Sequence, residues 1–106
     1  MPPANQLPAP LDVHFAPGSA VLSPSDQTAL VPFCKAGGRI TINARAPADP
    51  ADPSAAMRLS LARAFAVRDA LSACGVAASA IVPRAQGAVP GQDDNITQIV
   101  AGETDK

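Results

Sequence analysis

The chain has 106 residues and carries eight Lys and Arg against nine Asp and Glu, a net charge of −1, so the basic footprint that nucleic-acid binding needs is absent. It is long enough for one modest domain, and its apolar runs are far shorter than a membrane span. Three Phe and no Tyr or Trp, within 47% apolar residues, predict a core of small side chains packed between layers.

Residues 1–10, MPPANQLPAP, are Pro-rich and polar and read as a linker, with any signal or membrane anchor expected outside this sequence. In LDVHF, Leu11, Val13 and Phe15 alternate with Asp12 and His14, the pattern of a strand with one buried face. APGSA is turn chemistry. A helix then opens with Ser23 as N-cap, Pro24 at the first position and Asp26 three residues past the cap. Ala29, Leu30, Phe33 and Cys34 share one of its faces, Pro32 is expected to kink or shorten it, and Gly37-Gly38 to end it.

RITINARA (39–46) is a second strand, followed by the loop PADPADPS (47–54). Asp52 is expected to cap the next helix with Pro53 at its first position, and that helix should run to about Ala73 and stop at Gly75. IVPRAQG (81–87) and ITQIV (96–100) are the third and fourth strands, expected to pair with each other through the 87–95 connection. The order β-α-β-α-β-β predicts an α/β (α+β) sandwich with its helices on one face of the sheet, spanning 11–101 and followed by a disordered tail at 102–106.

Unrolled at about 100° per residue, the long helix places Ser60, Ala64, Val67, Leu71 and Cys74 on one core stripe. Arg63 falls at its edge beside Leu59, where an arginine packs its stem and holds its guanidinium for a partner: an ion pair with Asp49 or Asp52, or a ligand. Arg58, Arg63 and Arg68 recur every five residues, each turned about 140° from the last, which argues against one anion cluster. Arg58 and Arg68 read as solvated helix surface. Leu61 and Phe65 form an i, i+4 pair on the outer side, open either to cover by the N-terminal segment or to another chain.

Cys34 and Cys74 could be two small buried residues or a disulfide; if bonded, they staple the first helix to the end of the second. Two cysteines and a lone His14 are too few for a metal site, and no cofactor motif is present. No nucleophile–base pair surrounds any Ser, Cys or His14, so no enzymatic role is expected.

Several of these segments together resemble one family. FAPGSAVLSPSDQTAL resembles the opening of OmpA-like C-terminal domains, LSLARAFAVRDALSACGV their second helix, and IVPRAQG the strand after it. The resemblance implies helices on one face of a mixed four-stranded sheet, and a non-catalytic periplasmic domain of the Gram-negative cell envelope. It implies non-covalent binding of peptidoglycan through the diaminopimelate of the stem peptide. Arg63 matches the family's ligand-binding arginine, whose fork suits a carboxylate. The family's aspartate position falls on Pro47 or Ala48, and its asparagine position on Ala56. The ligand site is therefore expected to be degenerate, with Asp49 or Asp52 in the acidic role. The alternative is a protein–protein scaffold domain of an envelope assembly that has lost peptidoglycan binding, tethered to a membrane through an anchor outside this sequence and using Leu61 and Phe65.

Overall fold

Alternation places the strands as the sequence predicts. Strand β1 (Leu11–His14) buries Val13 and exposes Asp12 and His14. The computed structural model describes residues 9–36, 39–89 and 95–102; all of the expected tail at 102–106 except Gly102, most of the linker, the Gly37-Gly38 stop and most of the 87–95 connection lie outside the described residues, while the Gly102 amide donates to the Arg39 carbonyl at 2.8 Å. Ser23 caps α1 (Pro24–Ala29), its side chain accepting from the Asp26 amide at 3.1 Å. The first helical region is two helices, because α2 (Val31–Ala36) starts afresh after a break at Leu30. Pro32 has no N–H to give to the Thr28 carbonyl, and its ring would strike that carbonyl in a continuous helix.

Strand β2 (Ile40–Ala44) is followed by α3 (Ala55–Ala73), a 3₁₀ turn at Ala78–Ala80, β3 (Ile81–Ala85) and β4 (Ile96–Ala101). The regular part of α3 begins two residues later than the sequence suggests. Asp52 caps the tight turn before it instead, its Oδ1 accepting from the Ser54 amide at 3.3 Å while its carbonyl accepts from the Ala55 amide at 3.0 Å. The other end closes as expected. Gly75 takes φ +108°, the Val76 amide donates to the Leu71 carbonyl at 3.0 Å and the Gly75 amide to the Ser72 carbonyl at 3.1 Å. This double bond is a Schellman closure, and Val76 packs back on the core beside it.

The sheet order is β1-β4-β2-β3, with β2 and β3 parallel and β4 antiparallel to both β1 and β2. The expected pairing of the last two strands is therefore replaced by insertion of β4 between β1 and β2. There both of its edges are bonded and Thr97 and Ile99 are fully buried. Strand β3 is left as an edge carrying Pro83, which cannot donate to an added strand. Val13, Ile42, Ile81 and Ile99 line the buried face and meet Ala64, Val67 and Leu71 of α3 and Phe33 of α2. Ala44 and Ala64, both without exposed surface, give a small-residue contact between α3 and the sheet. On the opposite face the register aligns Asp12, Gln98, Asn43 and Arg84 in one cross-strand row.

Cys74 does not sit on the buried stripe. It is the C-cap of α3, where the helix has already run off the core, and its side chain turns to Cys34. The structure joins the two as a disulfide with Cα atoms 5.9 Å apart, tying α2 to the end of α3 across 40 residues. Chain entropy for a closed loop of that length corresponds to about 4 kcal/mol. Replacing both cysteines by serine should lower the denaturant midpoint accordingly, and a thiol assay on oxidised wild type should find no reactive thiol; two reactive thiols would overturn the pairing.

Candidate functional site

The residues Ala16-Pro17-Gly18-Ser19 form a tight turn in which the Ser19 amide donates to the Ala16 carbonyl at 2.9 Å and Gly18 has φ +74°. Proline second and a left-handed glycine third are what a type II turn requires. Opposite this turn runs the Pro-rich segment after β2. Between them lies a cleft of about 640 Å³. Gly18 forms one wall, Pro47, Ala48, Asp49 and Pro50 the other, and Ala55, Arg58, Leu59 and Ala62 the floor. The floor residues are spaced three and four apart, so they share one face of α3. A second hollow of about 370 Å³ lies on the far side of the Pro-rich loop, lined by Pro53, Met57 and Gly87 and sharing Ala48, Asp49 and Pro50. The loop is a ridge between the two.

Arg63 is where the structure departs most from the sequence reading. It is not at the edge of the core: it has no exposed surface and is the largest fully buried side chain. Its Nε donates to the Ser19 carbonyl at 2.8 Å, Nη1 to the Arg45 carbonyl at 3.0 Å and Nη2 to the Ala16 carbonyl at 3.1 Å. The guanidinium also lies 5.1 Å from the Phe15 ring centroid, within cation–π range. Burial pushes its pKa below the ordinary arginine value, although an arginine stays charged at neutral pH. This group has no exposed surface and does not line the cleft.

The cation that does line the cleft is Arg58, assigned from sequence to plain solvated surface. It is exposed, but it is ordered by Ser54 and Asp52, whose oxygens its two Nη atoms engage. Asp52 is pulled below the ordinary carboxylate range, first by the Arg58 hydrogen bond and then by Ser54. The pair is thus fully formed above the ordinary carboxylate pKa and lost as pH falls through the lowered value. It is solvent-exposed, so salt screens it. Asp52 therefore serves Arg58 and does not pair with Arg63. Asp49 is exposed on the cleft wall, with Oδ1 accepting from the Ala51 amide at 2.9 Å. The structure thus brings Asp49 and Arg58 to one cleft and withdraws Arg63 from it. Apolar Ala55, Leu59 and Ala62 on the same stripe as Arg58 were the sequence signal for this floor.

Leu61 and Phe65 keep 41% and 36% of their surface. Arg68, the other arginine assigned to solvated surface, stacks over Phe65 at 4.3 Å and pairs with Asp69 at 3.0 Å. His14 is exposed. Among the described residues, no group of three His, Cys, Asp or Glu could hold a metal, and no helix is long and apolar enough to cross a membrane.

A family model described as the OmpA family matches residues 14–104. The fold is similar to the OmpA-like domain of FopA1 from Francisella tularensis subsp. tularensis SCHU S4, with a TM-score of 0.68, 20% identity, and 86% of this chain and 70% of that one covered. It is also similar to the peptidoglycan-associated lipoprotein from Burkholderia pseudomallei, with a TM-score of 0.72, 22% identity, and 86% of this chain and 89% of that one covered. A search of curated proteins gives no match.

Gly18 provides a direct check on the cleft wall. No atom lies within 4 Å of a Cβ added there, so Gly18→Ala should cost only the left-handed backbone penalty, roughly 1–2 kcal/mol, measured by denaturant unfolding. A loss well above that range would mean the turn is held differently.

Proposed function

Because the chain belongs to the OmpA family, we propose that it is a non-catalytic cell-envelope domain that associates with peptidoglycan through the cleft between the Gly18 turn and the Pro-rich loop. The observation that carries this reading is the presence of Asp49 and Arg58 on one cleft. A diaminopimelate side chain ends in an ammonium and a carboxylate on one carbon. Recognising it takes one anion and one cation a few ångströms apart, with an arginine fork taking the carboxylate. In this reading Asp49 takes the ammonium and Arg58 the carboxylate, while Arg63, at the position of the family's ligand arginine, supports the site from beneath. Asp52 orients Arg58 and competes with the ligand for it, which makes binding weak and salt-sensitive. The similarity to a peptidoglycan-associated lipoprotein supports the ligand class, and a periplasmic location is part of the same proposal.

Co-sedimentation with purified diaminopimelate-type peptidoglycan tests the assignment. Arg58→Ala and Asp49→Ala should each reduce the bound fraction about tenfold, as expected for loss of one charge-assisted contact, without lowering the unfolding midpoint. Wild type that stays in the supernatant at low salt would sink the proposal.

A second reading, a scaffold domain that docks an envelope protein, is favoured by one observation: Leu61 and Phe65 remain half-exposed on the outer side of α3. In that case Phe65→Glu should abolish partner capture or shift the oligomeric state by size-exclusion chromatography while leaving sedimentation with peptidoglycan unchanged. An unchanged elution and unchanged capture would count against an interface there.

A further inference from the structure

Both walls of the cleft hang on one side chain. The Gly18 turn is bracketed by Ala16 and Ser19, whose carbonyls accept from Nη2 and Nε of Arg63, and the Pro-rich loop begins just after Arg45, whose carbonyl accepts from Nη1. The three acceptors are 47, 44 and 18 residues away in sequence, and the three donors are nitrogens of one rigid plane. Resting on the reading of the cleft as the ligand site, we infer that Arg63 is its positioning residue. It sets the separation of the Gly18 turn and the Pro-rich loop, and so the distance across which a zwitterion must fit, without touching the ligand itself.

The neighbouring bonds fit this role. The Ala16 carbonyl accepts both the Ser19 amide and Arg63, so the turn is closed and anchored through one atom. On the other wall, the Ala46 amide donates to the Gly87 carbonyl at 3.0 Å, and the Gly87 amide in turn donates to the buried Ser60 hydroxyl of α3 at 3.0 Å. Residues 45 and 46 are thus held from two sides, by Arg63 and by the β3 end that Ser60 fixes. A lysine at position 63 keeps the charge but offers one nitrogen, which cannot occupy three donor positions at once.

Two measurements test the assignment. In folded Arg63→Lys, amide exchange should rise by about tenfold or more at Ser19, Ala46 and Asp52, since each lost charge-assisted bond is of that size, while Ile42 and Val67 keep their protection. Unchanged exchange on either wall would overturn the role, as would a uniform rise through the core, which marks plain destabilisation. In wild type, a soluble diaminopimelate-containing stem peptide should shift the Arg58 Nε resonance and leave that of Arg63 in place. A larger shift at Arg63 would make it a ligand contact and overturn the inference. If the peptide moves no resonance, the peptidoglycan reading falls, and the exchange result on the same variant still decides whether Arg63 fixes the two walls. Should Arg63→Lys fail to fold, the wild-type resonances decide alone.

Discussion

A guanidinium taken out of water needs acceptors placed for it, because a buried charge without them is among the costliest features a fold can carry. Arg63 meets that demand with three backbone carbonyls and the face of Phe15. Those carbonyls have to be where the guanidinium is, so its burial dictates the path of two loops at once. The residue after β1 must turn sharply, which Pro17 and Gly18 allow, and the chain leaving β2 must present the Arg45 carbonyl before it enters the Pro-rich segment. The small side chains of the α3 core stripe serve the same end, since Ala64 and Ser60 let the helix approach close enough for Arg63 to reach across.

This changes how the arginine in LSLARA is understood. By type and position it suits a ligand carboxylate. By environment it is a buried cation bonded to carbonyls of its own chain. The charge that meets the cleft is one helical turn and a half nearer the N-terminus of α3, at Arg58, where it is wet, paired with Asp52 and able to exchange partners. In the proposed reading, a buried arginine beneath and an exposed arginine above divide between them two tasks, shaping and contacting, that a single residue would otherwise combine.

Much of the frame was legible because local rules and tertiary contacts agree. Alternation marks β1 and β2, Ser23-Pro24 with Asp26 opens α1, and Gly75 closes α3. What stayed hidden was decided by partners without a sequence signature. The acceptors of Arg63 are main-chain carbonyls, which every residue has, so nothing in the letters Ala16, Ser19 or Arg45 announces them. The slot of β4 between β1 and β2 is a choice among pairings that one strand's alternation fits equally well. The start of α3 slipped because Asp52 can cap a tight turn or a helix with the same carboxylate. The place of Arg58 on the cleft is hidden because an outward-facing arginine reads as plain surface, although its neighbours on the stripe are apolar.

The Cys34–Cys74 bridge lies at the C-terminal end of α3, while the cleft is built on its first two turns. At 1.5 Å per residue, the 12 residues from Ala62 on the cleft floor to Cys74 separate them by about 18 Å along α3. The helix is accordingly clamped like a beam, covalently at one end and by hydrogen bonds at the other. A sub-global opening can therefore free the Gly18 turn and the Pro-rich loop while the far end stays locked to α2 and the sheet. Mechanical load entering through the cleft would be felt first by the bonds of Arg63 and last by the disulfide, so the cleft would open before the domain lost its fold.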